Sequence, residues 1–245
     1  RPSIPPLGAR GLMSVAVFLF AFLLYAQTIS FQYALDDQPT LRDNEIVHKG
    51  FAGIPELLKT DFWHGSDIGV VVPLYSPACP IFFAMEWQFF PNSPPFYHFV
   101  NVFLYALTCA LLFKLLRRML GNVSPFIPLA CVLLFAAHPL HTEVVSNIKS
   151  ADELLCLLFV VLASWFALNF AVKKSIPGLV LSALFFFCAL LSKESGVVLF
   201  LVVPLILYFF SNAGWKTILA ISAVYVVPVG LFFFMRASAL EGIAP

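Results

Sequence analysis

Two adjacent carboxylates, Asp36 and Asp37, directly follow the first apolar run and are the first residues in the chain with an evident chemical use. One carboxylate of such a pair can act as a general base while the other orients it or holds a metal ion. A divalent cation is therefore an open alternative, although no cofactor is predicted. The competing interpretation is a solvated acidic turn that caps the next segment.

A second polar group interrupts the apolar sequence in the middle of the chain, where His138 and His141 are followed by Glu143. Two histidines and an acid can bind zinc, but this spacing alone is a weak signal, so no metal site is predicted. Hydrogen bonding to a phosphate or a sugar hydroxyl is an alternative use. The plain structural interpretation is a polar helix end at the membrane surface.

The third polar group is the turn from Ser192 to Ser195, which places Lys193 and Glu194 between two apolar runs. Charged residues at membrane depth are costly unless they are paired, so they indicate a functional site. Lys193 is suited to contact a phosphate as a point charge, because lipid phosphates lie at this depth. The alternative is a hairpin turn whose polar residues face water.

The composition of the chain indicates a membrane protein. Of its 245 residues, 61% are hydrophobic and 11% are charged, whereas soluble domains carry about 25% charged residues. The formal net charge of +1 provides no field that would attract nucleic acid, so no nucleic-acid partner is expected. The five cysteines lack paired spacing and are predicted to be small buried hydrophobic residues.

The apolar runs predict an all-α polytopic protein with about seven membrane-spanning helices in one transmembrane domain, residues 1–245. A crossing takes roughly 20 residues, and a helix satisfies its own backbone groups in lipid. The spans are predicted at residues 11–31, 97–116, 124–140, 153–172, 176–192, 196–210 and 217–235. The loop between the first two, residues 32–96, is predicted to carry helices lying in the membrane interface.

Within that loop, the apolar stretch at residues 79–90 is too short to cross a membrane. It therefore leaves the orientation of the later spans unchanged. With the N-terminus in the cytoplasm, the cytoplasmic side receives eight basic residues and no acidic one. Such an excess of Lys and Arg in short loops is the signal that orients membrane proteins. The long loop and all three polar groups then face away from the cytoplasm.

The order of these motifs resembles that of the GT-C fold glycosyltransferases that use lipid-linked sugars, in particular the TMTC-like O-mannosyltransferases and their bacterial relatives. The resemblance covers about residues 12–210. It rests on the acidic pair, Asp61-Phe62-Trp63, Tyr75 to Pro77, Phe96 to Phe113, His138 to Glu143, Ser150 to Leu155, and Ser192 to Gly196.

The resemblance implies inverting transfer of a sugar from a polyprenyl- or dolichyl-phosphate donor to a protein or glycan acceptor at the non-cytoplasmic membrane face. It also implies an acid in the first loop that activates the acceptor, for which Asp36 is the first candidate and Asp37 the second. The candidate substrate-binding residues are Arg42, Tyr75, His138, His141, Glu143, Lys193 and Glu194. A bacterial inner membrane is the expected location, and the endoplasmic reticulum membrane is the alternative.

Two departures from the family pattern favour a second reading, a non-catalytic subunit of a larger membrane complex. The family commonly has Arg between the Tyr and the Pro of the third motif, where this chain has Ser76. The family also continues beyond the seventh helix, so a truncated or shortened chain is expected. Asp36, the two histidines, Glu143 and Lys193 are predicted to converge on one cavity at the non-cytoplasmic membrane surface.

Overall fold

The computed structural model describes residues 7–66 and 73–241 of the chain, with side chains from residue 11 onwards. The described residues form helices and no strand. The α-helices are α1 Leu7–Tyr25, α2 Glu45–His48, α3 Ile54–Leu57, α4 Ala78–Phe89, α5 Pro94–Met119, α6 Phe126–Ala136, α7 Leu140–Ser146, α8 Ala151–Lys173, α9 Ile176–Ser192, α10 Leu199–Phe210 and α11 Trp215–Leu240. Tighter turns at Ala26–Ser30, Ile148–Ser150 and Glu194–Val198 extend α1, α8 and α10.

Four described segments are long and apolar enough to cross a membrane: Gly11–Ser30, Pro94–Met119, Ile148–Lys173 and Trp215–Leu240. The pair α6 and α7 supplies a fifth if the two helices are one broken span. The segments Ile176–Ser192 and Glu194–Phe210 are shorter apolar helices. The all-helical, multi-pass class predicted from the sequence is confirmed, while the count of seven crossings stays a prediction.

The third predicted span differs from a single straight helix over residues 124–140. Helix α6 ends at Ala136, α7 begins at Leu140, and the two axes differ by 66°. Pro139 lies in the break. A proline has no backbone N–H to donate and disfavours the helical conformation in the residue before it, which is His138 here. The bend turns the polar sequence of α7 away from the axis of α6.

The long loop contains short helices, of which α4 is the longest at 12 residues. A helix of this length extends about 18 Å and does not cross a bilayer. Glu86 lies on its buried face, and burial raises the pKa of this carboxyl well above its ordinary value. The side chain of Glu86 thus lies against the protein together with the apolar residues of α4.

Polar contacts at the two ends of the bundle fix the directions of its helices. At one end Arg118, near the end of α5, donates a hydrogen bond to Asn169 near the end of α8 at 2.7 Å. At the other end Lys193, which follows α9, pairs with Asp152 in the first turn of α8 at 3.2 Å. Helices α5 and α8 thus run in the same direction and α9 runs in the opposite one. We call these the basic end and the acidic end.

The loop is held to the acidic end by its own apolar core. Leu41, Phe62 and Phe83 of the loop are buried with Tyr97 of α5 and Ile148 ahead of α8. Burying apolar surface contributes roughly 25 cal/mol per Å², so this contact is a main reason why the loop lies on the bundle. The acidic pair and the first turn of α8 are brought together as a consequence.

The predicted orientation can be tested with cysteines introduced at the two ends. Lys59, in the loop, and Asn122, between α5 and α6, are both exposed. A membrane-impermeant maleimide added outside sealed cells is expected to label Lys59→Cys and to leave Asn122→Cys unlabelled. The parent chain gives the background from the native thiols. Labelling of Asn122→Cys alone would show that the orientation is inverted.

Candidate active site

The two members of the acidic pair have different surroundings. Asp37 is fully buried, and its carboxylate accepts hydrogen bonds from the backbone N–H groups of Ala34 at 2.9 Å and Lys149 at 2.8 Å. The second of these bonds joins the loop to the residues that precede α8. Asp36 is exposed. Asp37 therefore fixes the loop in place, while the carboxylate of Asp36 is accessible to a substrate.

Burial raises the pKa of Asp37 above its ordinary value, while the N–H groups of Ala34 and Lys149 act in the opposite direction. The backbone just before the pair is strained, because Leu35 has a φ of 45°. A left-handed conformation is uncommon for a residue other than glycine, and such strain clusters at functional sites. The strained turn at Leu35 thus directly precedes an exposed Asp36 and a buried Asp37.

A network of charges lies beside the acidic pair at the start of α8. The side chain of Asp152 is buried, and one of its oxygens accepts from Lys149 Nζ at 3.1 Å and from Lys193 Nζ at 3.2 Å. Lys193 also pairs with Glu153 Oε1 at 2.7 Å. A buried charge is costly without partners, and here two ammonium groups share one carboxylate. Asp152 is therefore the centre of the network.

Lys193 is held by this network rather than free. Burial acts to lower the pKa of Lys193, but the carboxylates of Glu153 and Asp152 outweigh it, so the pKa lies above its ordinary value. The next residue, Glu194, accepts from Arg236 Nε at 2.8 Å. The turn that the sequence singled out is thus tied to both α8 and α11 by ion pairs.

Gly196 is the residue that allows this turn to lie against α9. A Cβ atom built at Gly196 would lie 2.9 Å from the backbone carbonyl of Ala189, closer than real Cβ contacts. A glycine is required because the backbone approaches another backbone, which cannot move aside. This close approach keeps Lys193 within reach of the first turn of α8.

The aromatic motif of the loop also reaches the network. Lys149 Nζ lies 5.4 Å from the centre of the Phe62 ring, within the range of a cation–π contact. Cys79 Sγ donates to the backbone carbonyl of Lys149 at 3.7 Å. Lys149 therefore contacts the loop through its side chain, its N–H and its carbonyl. The sequence motifs that lie far apart in the chain meet around this one residue.

Tyr75 and Ser76 are buried in the same region. The Tyr75 hydroxyl donates to the carbonyl of Leu58 at 2.9 Å, and its ring packs near Phe232 of α11. Ser76 Oγ is buried and has no hydrogen-bond partner among the described residues. Tyr75 thus ties the loop to α11 and is fully buried, and its role in substrate binding stays a prediction.

The two histidines have neighbours outside the charge network. The His141 ring contacts Phe135, at 4.4 Å between centroids, and Tyr105, at 5.6 Å. His138 Nδ1 accepts from the N–H of Leu140 at 3.3 Å. These contacts place the histidines against α5 and α6, whereas Lys193 pairs with α8. The structure therefore joins Asp37 to the Lys193 network and gives the histidines other neighbours.

Glu143 and Arg42 are exposed. Arg42 lies 3.8 Å from the carboxylate of its neighbour Asp43, and both side chains are more than half exposed. Such a pair contributes little to stability. Within residues 7–66 and 73–241, no three His, Cys, Asp or Glu side chains are placed to share a metal ion.

A cavity of about 210 Å³ opens from the charge network between α8 and α10. Glu153 and Ser195 line it at the acidic end, and its deeper walls are the apolar side chains Leu157, Val160 and Leu199. A polar mouth above apolar walls suits an amphipathic molecule whose charged group stays at the membrane surface. The cavity thus joins the charge network at its mouth to apolar side chains at its base.

Four residues of this site were assigned no role from the sequence, although three of them were noted there as polar residues that continue the group beginning at His138. They are Lys149, Asp152, Glu153 and Arg236. A signal was present, because each is an ionisable residue at the edge of an apolar run. Their partners could not be read from the sequence, since the residues that pair are 3 to 42 positions apart.

Comparison with known proteins identifies the family. The family model described as dolichyl-phosphate-mannose-protein mannosyltransferase matches residues 77–239. The chain belongs to this family. The match includes the whole charge network and the apolar cavity, and it begins after the acidic pair, Ser76 and Tyr75.

Individual relatives extend the similarity to more of the chain. The human protein O-mannosyl-transferase TMTC1 is 28% identical over 211 residues, which are 80% of this chain and 23% of that protein. The Drosophila melanogaster protein O-mannosyl-transferase Tmtc1 is 29% identical over 72% of this chain and 20% of its own length. The Xenopus laevis protein O-mannosyl-transferase tmtc2 is 29% identical over 83% of this chain and 22% of its own length.

The chain thus spans about a fifth of the length of these curated relatives. No solved structure matches the chain. The resemblance seen in the sequence motifs is confirmed, and so is the assignment to a family of glycosyltransferases.

Proposed function

We propose that the chain transfers mannose from a polyprenyl- or dolichyl-phosphate donor to a hydroxyl group of a protein acceptor at the non-cytoplasmic membrane surface. The observation that carries the proposal is the exposed Asp36, whose buried neighbour Asp37 accepts a hydrogen bond from the backbone of Lys149 in the charge network. The family model and the relatives that are named protein O-mannosyl-transferases support the choice of sugar and acceptor.

In the proposed reaction, the acceptor oxygen attacks C1 of the mannose and a new C–O bond forms. The bond between C1 and the phosphate oxygen breaks, and the phosphate leaves with the electron pair. Asp36 takes the proton of the acceptor hydroxyl. Attack opposite to the leaving phosphate inverts the configuration at C1. A positioned carboxylate contributes about 10²–10⁴-fold to the rate of such a step.

The donor lipid occupies the cavity between α8 and α10 in this proposal, with its phosphate at Lys193. Asp152 is almost fully buried and keeps its place, whereas the Glu153 side chain is 43% exposed. Glu153 can therefore swing into solvent and leave one side of Lys193 to the phosphate. This exchange of one anion for another keeps Lys193 paired throughout, which avoids the cost of an isolated charge.

The alternative is a non-catalytic membrane subunit on the same fold. It is favoured by Ser76, which is buried where the family commonly has Arg, and by the internal pairing of Lys193. A fold by itself does not establish an activity. The choice between a bacterial inner membrane, which the sequence reading favours, and the endoplasmic reticulum stays a prediction.

A transfer assay distinguishes these possibilities. Membranes that contain the chain are incubated with a threonine-rich peptide and either dolichyl-phosphate mannose or GDP-mannose, each with a radioactive sugar. The peptide is expected to gain label from the lipid-linked donor only. Membranes without the chain are the control. Label gained from GDP-mannose alone would contradict the proposed donor, and label gained from neither donor would favour the non-catalytic subunit.

A further inference from the structure

A second cavity, of about 400 Å³, lies at the basic end of the bundle between α1, α5 and α8. The cations that line it are Lys114, Arg117 and Arg118, and Trp165 forms part of its wall. The mannosyl transfer proposed above makes no use of this cavity. Its cations lie at least 13 residues along α5 from Asn101, which donates a hydrogen bond to the carbonyl of Asn147 ahead of α8 at the acidic end. A separation of 13 residues along a helix corresponds to roughly 20 Å.

Arg118 is fixed in place beside the cavity. Its guanidinium donates to the carbonyl of Trp165 at 3.2 Å and to Asn169 Oδ1 at 2.7 Å, and it lies 5.0 Å from the centre of the Trp165 ring. None of these partners carries a negative charge. A guanidinium held by neutral groups keeps its full charge and loses little further freedom when an anion binds.

The other two cations also lack a carboxylate. Arg117 donates a long hydrogen bond of 3.4 Å to the carbonyl of Val123, and Lys114 is exposed. No carboxylate in the described part of the chain lines this cavity or forms an ion pair with any of its three cations. Three like charges that repel one another around a single cavity favour the binding of an anion.

The surroundings of the cavity point to a lipid as the source of that anion. Next to it, α1 exposes the apolar side chains Leu12, Val15 and Leu19, which can contact acyl chains. In the orientation predicted from the sequence, the basic end faces the cytoplasm, where anionic lipids are enriched and basic pockets between helices bind their headgroups. A volume of about 400 Å³ is sufficient for a phosphate headgroup.

We infer that this cavity binds the phosphate group of an anionic phospholipid through Lys114, Arg117 and Arg118. This site is separate from the donor site, because it lies at the opposite end of the same helices. The three cations select a ligand with a net negative charge, so a zwitterionic lipid of the same size is expected to bind more weakly.

The test is a titration of the detergent-solubilised chain with three probes: short-chain phosphatidylglycerol, short-chain phosphatidylcholine and inorganic phosphate. Binding is followed by microscale thermophoresis. The variant Lys114→Gln/Arg117→Gln is compared with Lys173→Gln/Lys216→Gln, which removes two cations from the same end without touching the lining of the cavity. Arg118 is kept because its hydrogen bonds hold α5 to α8.

Phosphatidylglycerol is expected to bind the parent chain and the control variant equally. It is expected to bind Lys114→Gln/Arg117→Gln roughly 25-fold more weakly, at about fivefold for each cation.

Equal binding to the two variants would overturn the site. Equal binding of phosphatidylcholine would overturn the selection for an anion. Binding of inorganic phosphate with the same dependence on the variants, without binding of phosphatidylglycerol, would assign the cavity to a soluble phosphate and overturn the lipid. Unchanged thermal unfolding of each variant confirms that its fold is intact.

Discussion

The Asp36→Asn variant is expected to transfer mannose about 10²–10⁴-fold more slowly than the parent chain, because an amide keeps the shape of the carboxylate and cannot take a proton. Its affinity for the lipid-linked donor is expected to be unchanged, since the cavity between α8 and α10 is lined by other residues. The measurement is the rate of peptide labelling at saturating donor, together with the donor concentration that gives half of the maximal rate.

Asp43→Asn provides the matched control, because Asp43 is an exposed carboxylate of the same loop whose one ion pair within the described residues is with its neighbour Arg42 at 3.8 Å. This variant is expected to transfer mannose at the parental rate. If Asp36→Asn were as active as Asp43→Asn, Asp36 would not be the base. A loss of donor affinity without a loss of maximal rate would instead assign Asp36 to binding.

The Asp152→Asn variant is expected to lower the free energy of unfolding by about 3 kcal/mol, which is the lower end of the range for removing one partner from a buried ion pair. Asp152 accepts from both Lys149 and Lys193, and the side chain of Asp152 is only 3% exposed. The lower end applies because Lys193 keeps its contact with Glu153. Unfolding in detergent by increasing denaturant gives the free energy.

Glu56→Gln is the control for this variant. Glu56 also has two partners, Lys49 at 2.9 Å and His64 at 3.1 Å, but the three side chains are 39–49% exposed. Exposed pairs contribute little, so this variant is expected to unfold almost as the parent chain does. Adding Lys193→Met to Asp152→Asn should cost less than the sum of the two single changes, because the second change removes an ammonium group that the first has deprived of one of its two carboxylates. Strict additivity would show that the two residues do not interact.

The class of the fold could be predicted from the sequence because it depends on properties that are local in the chain. Runs of apolar residues, such as those of α5 and α8, are helical wherever they lie in a membrane, since no other conformation satisfies their backbone groups. The bounds were predicted to within a few residues for the segment 176–192, which α9 matches. The bend between α6 and α7 was missed, although Pro139 was visible, because a proline can also begin a new helix in line with the previous one.

The residues of the site could be predicted only in part. The acidic pair and Lys193 are visible because charges beside apolar runs are unusual. Asp152 was recognised as polar and not as the centre of a network, because its role depends on Lys149 and Lys193 being within 3.2 Å of the same oxygen. The predicted convergence of Lys193 with the histidines on one cavity stays a prediction, while the ion pairs of Lys193 are with α8 and the ring contacts of His141 are with α5 and α6. Equal depth in a membrane says nothing about which side of a helix a residue occupies.

The sequence by itself determined that this is an all-helical membrane protein with its acids gathered at one end, because hydropathy and charge act on each segment separately. Only the tertiary structure decided which acid is buried and which is exposed. Asp36 and Asp37 are chemically identical neighbours, and they differ because Lys149, 112 residues from Asp37, donates its N–H to one of them. That hydrogen bond requires the loop to lie on α5 and α8, and the packing of Phe62 and Phe83 against Tyr97 and Ile148 holds it there.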